Sequence, residues 1–147
     1  MPTAAKLVAA IAFALVAYYA SRAVAPMLPE GMRLTKFFAL NVGLGAVTGW
    51  LVMGRLAGTG YGLAVANGLR TSAVLLFYTL LVHAIIEMID RAVDMRYRDT
   101  FAALSGLVRL MGDYAGMVFT SPVVMGILIL GGVIAALVVE FVSHRWN

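Results

Sequence analysis

The best candidates for chemistry in this sequence are ionisable side chains inside or beside apolar stretches. His83 and Glu87 lie four residues apart in the segment LVHAIIEMIDRAVDMRYRD, so a helix places both on one face. A histidine and a carboxylate at this spacing can bind a divalent metal or relay a proton. The structural alternative is that Glu87 with Arg91, and Asp94 with Arg98, form acid-before-base pairs on a helix that emerges into water.

Two other positions have similar potential. Glu140 and His144 repeat the four-residue spacing, but we expect this pair and the first at opposite faces of the membrane, which argues against one four-ligand metal site. Arg70 could bind an oxyanion through charge-assisted hydrogen bonds, or could simply extend its charge to the membrane surface. We therefore take Arg70, His83 and Glu87 as candidate binding residues and predict no catalytic residue, metal, cofactor or enzyme activity.

Membrane helices must position these side chains, because the composition is that of an integral membrane protein. Of the 147 residues, 63% are hydrophobic and 12% are charged, whereas about a quarter of the residues in soluble domains are charged. The net charge of +4 comes from lysines and arginines that flank apolar segments, so it does not indicate nucleic acid binding. The lack of cysteine excludes disulfides and thiol redox chemistry by this chain alone.

Four apolar segments predict transmembrane helices, at about residues 5–25, 36–54, 62–90 and 122–143. The first resembles a signal peptide, but Pro26 directly follows the apparent cleavage site, so we expect the segment to be retained. A third helix from Tyr61 to Arg96 would be about 54 Å long. It must therefore project from the bilayer or break, and Asn67–Gly68 is the predicted break point.

A further helix is predicted between the third and fourth spans, at about residues 100–118. Its apolar residues recur every three or four positions, as in an amphipathic helix: Phe101, Leu104, Val108, Met111, Ala115 and Val118. We predict that it lies in the membrane interface, the alternative being a short water-exposed helix packed on the bundle. Ser121 as N-cap and Pro122 as first helical residue then begin the fourth span. The fold class is thus an all-α integral membrane protein, with residues 1–147 in a single membrane domain.

Small residues at four-residue spacing predict close helix contacts, Gly45 with Gly49 and Gly132 with Ala136. The contacts lie within the bundle or against another subunit, so we expect a homo-oligomer or a larger membrane-protein complex in the lipid bilayer. Asn41 is predicted to form an interhelical hydrogen bond rather than a substrate contact. More lysines and arginines fall in the first and third loops than on the other side, which favours periplasmic termini at the bacterial inner membrane.

Several stretches carry a likeness to known proteins: MPTAAKLVAAI, PMLPEG, NVGLGAVTGWLVMGRLAGTGYGLAVANGL, EM followed by RYRD, and the closing RW. Together they resemble the TrgA-type small membrane proteins of alphaproteobacteria over nearly the whole chain. The N-terminal decapeptide and the glycine-rich turn are the most specific parts, whereas RYRDT replaces the RYDGP expected in that family. The resemblance implies an inner-membrane protein associated with tellurite resistance, without a mechanism or known functional residues.

Two hypotheses for function follow. The first is a resistance protein that handles an oxyanion or supports membrane redox systems, because a cysteine-free chain without cofactor motifs is poorly suited to reduce tellurite itself. The alternative is an accessory structural subunit, packed by its small-residue faces on a larger respiratory or photosynthetic membrane complex.

Overall fold

The computed structural model describes residues 3–28 and 34–146, and the described residues contain helices and no strand. The helices are α1 (Ala4–Val24), α2 (Leu34–Leu56), α3 (Tyr61–Val93), α4 (Thr100–Thr120) and α5 (Pro122–Arg145). All except α4 are long and apolar enough to cross a membrane. The predicted all-α, multi-pass architecture is therefore confirmed at this level. Arg33, which enters the charge count for orientation, lies outside the described residues.

Two of the helices carry irregular turns. A short 3₁₀ turn, Ala25–Met27, follows α1 and has Pro26 near its start. Helix α2 is α-helical over Leu34–Thr48, forms one π-helical turn over Gly49–Met53 and ends with the α-helical turn Gly54–Leu56.

Side chains fix the start of two helices. The Ser121 hydroxyl accepts a hydrogen bond from the Val124 N–H at 3.4 Å, and Pro122 occupies the first turn, where its missing N–H costs nothing. The predicted start of the last span is therefore confirmed. The Asp99 carboxylate caps α4 in the same way, accepting from the Ala102 N–H at 2.7 Å.

Helix α3 is continuous from Tyr61 to Val93, so the break predicted at Asn67–Gly68 is wrong. The 33 residues span about 50 Å, which is more than the ~30 Å hydrocarbon core, so one end must project. Close packing explains why the glycine does not interrupt the helix. A Cβ atom on Gly68 would collide with the carbonyl oxygen of Gly132 and would lie 2.7 Å from the Cβ of Ala136, so α5 holds this part of α3 in place.

The carboxyl end of α3 closes with two backbone bonds beyond the regular helix, Met95 N–H to the Ala92 carbonyl and Arg96 N–H to the Arg91 carbonyl, both 3.0 Å. Met95 adopts a left-handed conformation with φ 57° to make this turn. Because the helix stops at Val93, the predicted pairing of Asp94 with Arg98 does not form. The Asp94 carboxylate instead lies 3.9 Å from the Arg96 guanidinium.

Glycines on α2 set its contact with α1. A Cβ atom on Gly45 would collide with the carbonyl oxygen of Phe13, and one on Gly49 would collide with the carbonyl oxygen of Ala9. Since higher residue numbers on α2 meet lower numbers on α1, the two helices run antiparallel. Their backbones approach closely along this line, as the spacing of small residues favours.

Helix α1 packs between α2 and α5, α5 packs against α3, and α4 packs on α3. This order places Ala4, the turn at residues 57–60 and Arg145 at one end of the bundle, called here the terminal end. The opposite end, called the mouth end, contains residues 22–28, the start of α2 and residues 94–99. The largest fully buried apolar side chains between the helices are Phe13, Met53, Val124 and Val139.

Candidate functional site

A cavity of about 480 Å³ runs into the bundle from the mouth end and is lined by residues of all five helices. Along α3 its lining extends from Leu75 to Asp90, a separation of fifteen positions that corresponds to about 22 Å of helix. Leu75, Val124 and Leu128 form its deep end and are buried. Concave, mostly apolar sites of this size, with a few polar groups, are the usual form of a small-molecule site.

Three polar side chains are linked across three helices in the middle of the cavity. The Ser21 hydroxyl on α1 donates to the Ala17 carbonyl at 2.6 Å, and the Asn41 amide on α2 donates to the Ser21 oxygen at 2.8 Å. The Asn41 carbonyl oxygen faces Nε2 of His83 on α3 at 2.7 Å. The predicted interhelical hydrogen bond of Asn41 is confirmed, and the bonds of Asn41 tie together three of the five helices that line the cavity.

The direction of each bond in this chain follows from the atoms present. A carbonyl oxygen cannot donate, so the single hydroxyl hydrogen of Ser21 must point to Ala17. Ser21 can then only accept from Asn41, which turns the Asn41 carbonyl oxygen toward His83. His83 therefore carries its proton on Nε2, and Nδ1 of the neutral ring is left as an acceptor.

Two hydroxyl groups also line the cavity, those of Thr79 on α3 and Tyr114 on α4. Neither hydroxyl has a hydrogen-bond partner among the described residues. Neither oxygen is fully buried, so both can accept a partner from outside the protein. Burial raises the pKa of the Tyr114 hydroxyl, and the nearby negative charge of Glu87 raises it further. Tyr114 is therefore a neutral group that can donate or accept a hydrogen bond at physiological pH.

The mouth of the cavity carries the charged groups. The Arg91 guanidinium binds the Glu87 carboxylate at 2.9 Å, and Lys36 and Asp90 lie exposed at the rim. Going inward, the lining changes from charged at Glu87 and Asp90 to neutral and polar at His83, and then to apolar at Leu75. This gradient matches a molecule with a polar head and an apolar body.

The sequence-predicted binding residues separate into two groups. His83 and Glu87 both line the cavity, but they do not bond to each other, because His83 pairs with Asn41 and Glu87 pairs with Arg91. Arg70 is exposed, is not part of the lining and lies thirteen residues, or about 20 Å of helix, from His83. The structure therefore does not bring Arg70 together with the other two.

At the terminal end, Glu140 holds the turn between α2 and α3. Its carboxylate accepts the N–H of Gly58 at 2.8 Å and the N–H of Gly60 at 2.6 Å, and its side chain is 0% exposed. His144, one turn further along α5, contacts the same carboxylate at 2.9 Å. Both glycines have positive φ angles, 91° and 106°, which turn their N–H groups toward one point.

The two histidine–carboxylate pairs therefore lie at opposite ends of the bundle. No group of three or more histidine or acidic residues within the described ranges has the geometry to hold a metal ion. Sequence reasoning missed Ser21, Thr79 and Tyr114 in the cavity, and it also missed the role of Glu140 in holding the turn at the terminal end. Ser21 and Thr79 are polar residues within apolar spans, and this could have marked them as candidates from the sequence. The residues they face could not be predicted, because these depend on how the helices are rotated.

Comparison of the chain with protein-family models, with curated proteins and with solved structures finds no match.

Proposed function

We propose that this protein binds an amphipathic, membrane-soluble small molecule in the cavity and thereby supports the redox systems of the bacterial inner membrane. The observation that carries the proposal is the gradient of the lining, from charged residues at the mouth through Asn41 and His83 to leucines at the deep end. The resemblance to tellurite-resistance-associated proteins gives the physiological setting. Tellurite resistance then follows from the electron supply of the membrane rather than from chemistry on this chain.

The charges at the mouth favour this form of the hypothesis over direct handling of an oxyanion. The acidic residues Glu87 and Asp90 accompany the cationic Lys36 in the lining, and the Arg91 charge is paired with Glu87. An oxyanion site needs an excess of unpaired donors and positive charge. Arg70, the cation named for that role, lies away from the cavity.

Filling the cavity tests the proposal. Thr79→Trp places an indole into the lining, and we expect it to lower the amount of amphipathic ligand that co-purifies with the protein by at least about tenfold, because the ligand and the ring compete for one space. The ligand is measured by mass spectrometry of an organic extract from protein purified in mild detergent. Survival on tellurite of cells that depend on the protein is expected to fall in parallel.

Tyr78→Trp is the matched control, because Tyr78 is the next residue along α3, is exposed and is absent from the cavity lining. It is expected to keep both the ligand and the protection. If wild-type protein carries no bound molecule, or if Thr79→Trp carries as much as wild type, the proposed function is wrong.

We also propose that α4 lies in the membrane interface and partly covers the mouth. Its surface has three sectors: Leu110 and Val118 are buried against the bundle, Phe101 and Val108 are 78% and 70% exposed, and a third side carries exposed polar residues. The polar residues of that side are Ser105, Arg109 and Asp113. Exposed apolar residues beside exposed charged ones fit a helix with lipid on one flank and water on the other.

The lysines and arginines of the described residues favour a cytoplasmic mouth end. Arg22, Lys36, Arg96 and Arg98 lie near it, together with Arg91 and Arg109, whereas Lys6, Arg55, Arg70 and Arg145 lie on the terminal side. Positive charge concentrates on the cytoplasmic side of inner-membrane proteins. We therefore propose periplasmic termini.

Single cysteines test both the orientation and the position of α4, because the chain has none of its own. In intact spheroplasts, we expect a membrane-impermeant thiol reagent to label Trp146→Cys at once and Asp113→Cys only after the membrane is permeabilised. Val108→Cys is expected to react at least about tenfold more slowly than Asp113→Cys after permeabilisation, because lipid covers it. Equal rates at 108 and 113 would place α4 in water, and immediate labelling at 113 would reverse the orientation.

A further inference from the structure

We infer that the polar head of the ligand is a neutral hydroxyl group, of the phenol or hydroquinone class, and this inference rests on the proposed function. The ligand hydroxyl donates to Nδ1 of His83 and accepts from the hydroxyl of Thr79. The recognition residue is therefore His83, acting as an acceptor. A carbonyl or ether in the same position has no hydrogen to offer.

The acceptor character of His83 comes from the fixed donor-to-acceptor direction of the hydrogen bonds that link Ser21, Asn41 and His83. Because Asn41 offers its carbonyl oxygen at 2.7 Å, Nε2 carries the hydrogen, and Nδ1 of the neutral imidazole then presents a lone pair. Nδ1 has no partner among the described residues, and the one buried side-chain nitrogen or oxygen there without a partner is the Tyr97 hydroxyl oxygen. Nδ1 is consequently open, and His83 lines the cavity.

A second group at the same level of the cavity completes the pair. Thr79 lies one helical turn before His83 on α3, so both side chains are on the same face of the helix. Its hydroxyl has no partner among the described residues, and Thr79 lines the cavity as well. A ligand hydroxyl between them would accept from Thr79 and donate to His83, which satisfies every hydrogen-bonding group at this point.

Aromatic contact holds the imidazole in place for this role. The ring of Phe37 on α2 lies 5.0 Å from the His83 ring, centroid to centroid, at an interplanar angle of 37°. Phe37 is buried and also lines the cavity. His83 is thereby fixed by Asn41 at Nε2 and by a ring on one face, which leaves the ring little freedom to turn Nδ1 away.

The test compares three decyl-substituted probes that share one apolar chain: a hydroquinone, its dimethyl ether and the corresponding benzoquinone. Binding to the detergent-solubilised wild-type protein is measured by isothermal titration calorimetry under argon. We expect the hydroquinone to bind about tenfold more tightly than either of the other two, since only it can donate to Nδ1. The apolar chain alone gives the weaker binding.

Two variants locate the effect. His83→Phe removes the acceptor, keeps an aromatic ring beside Phe37 and is expected to bind all three probes with nearly equal affinity. Thr79→Val removes the second hydroxyl, leaves the Ser21–Asn41–His83 hydrogen bonds intact and is expected to weaken the binding of all three probes about threefold, because each of them can accept from Thr79. If His83→Phe does not insert, the comparison of the three probes on wild type still decides the hydroxyl assignment, and Thr79→Val decides the role of Thr79.

The outcomes separate this inference from the function on which it rests. Equal binding of the three probes by wild type, or tighter binding of the benzoquinone, overturns the hydroxyl assignment and leaves an amphipathic ligand site. Failure of wild type to bind any of the three, together with an empty organic extract, overturns the proposed function itself. A preference for hydroquinone that survives in His83→Phe overturns the assignment to His83, and unchanged affinity of Thr79→Val for all three probes overturns the assignment to Thr79.

Discussion

Replacing Glu140 with alanine is expected to lower the free energy of unfolding by about 3–5 kcal/mol, because two backbone N–H groups together lose the buried, charged carboxylate that accepts both of their hydrogen bonds. The N–H groups of Gly58 and Gly60 both end on this carboxylate, at 2.8 and 2.6 Å. The turn they belong to joins α2 to α3, so its loss also loosens the terminal end of the bundle. Denaturant titration in detergent micelles, followed by circular dichroism, measures the effect.

Two further variants test whether the loss of stability comes from the hydrogen bonds that Glu140 accepts. Glu140→Gln keeps one acceptor oxygen but points an NH₂ group at one of the glycine N–H groups, so we expect an intermediate loss of about 1–3 kcal/mol. Glu87→Ala removes a carboxylate whose pair with Arg91 is partly exposed, and we expect a loss below about 1 kcal/mol. If Glu140→Ala were no less stable than Glu87→Ala, Glu140 would not be holding the turn.

The second large effect is expected at Gly49, where alanine should destabilise the protein by about 1–3 kcal/mol through overpacking. A Cβ atom there collides with the carbonyl oxygen of Ala9, lies 2.7 Å from the carbonyl carbon of that residue and 3.0 Å from the Cβ of Phe13. Backbone atoms cannot move aside as a flexible side chain can, so α1 and α2 must separate. The same unfolding titration reports the change.

Gly43 is the matched control, on the same helix and six residues earlier. A Cβ atom at Gly43 meets nothing within 4 Å, and the residue is exposed. Gly43→Ala is therefore expected to stabilise the protein by about 0.5–1 kcal/mol, since alanine favours the helix over glycine. Effects of the same sign at positions 43 and 49 would argue that helix propensity, and not the contact with α1, governs both.

The helices themselves could be predicted from local properties of the sequence. Apolar length fixes the four membrane helices, and the Ser121–Pro122 pair fixes the start of the last one, because capping involves only neighbouring residues. The predicted break at Asn67–Gly68 failed because it treated Gly68 as a turn former. Its actual role depends on Gly132 and Ala136, which lie more than sixty residues away in the chain.

The candidate site could be predicted only in part, for the same reason. His83 and Glu87 share a face of one helix, which four-residue spacing determines. Arg70 is thirteen residues before His83 and therefore about 140° around the helix, so its separation from the other two was available from helical geometry. The partners of Asn41, Ser21 and His83, could not be predicted in this way, because these hydrogen bonds depend on the relative depth and rotation of three helices.

The π-helical turn at Gly49–Met53 determines where α2 can lose a residue and still keep its contact with α1. Gly49 and Gly54 both face α1, where a Cβ atom on Gly54 would lie 2.7 Å from the Lys6 side chain. In a regular α-helix, five residues rotate by about 500°, which would leave Gly54 about 140° away from the face of Gly49. The π-helical turn contains more residues per turn than an α-helix, so it brings Gly54 back to the face of Gly49. A protein with one residue fewer in this turn, and an ordinary α-helix there, would keep the same face toward α1, so this is the point where α2 can lose one residue without turning Gly54 away from α1.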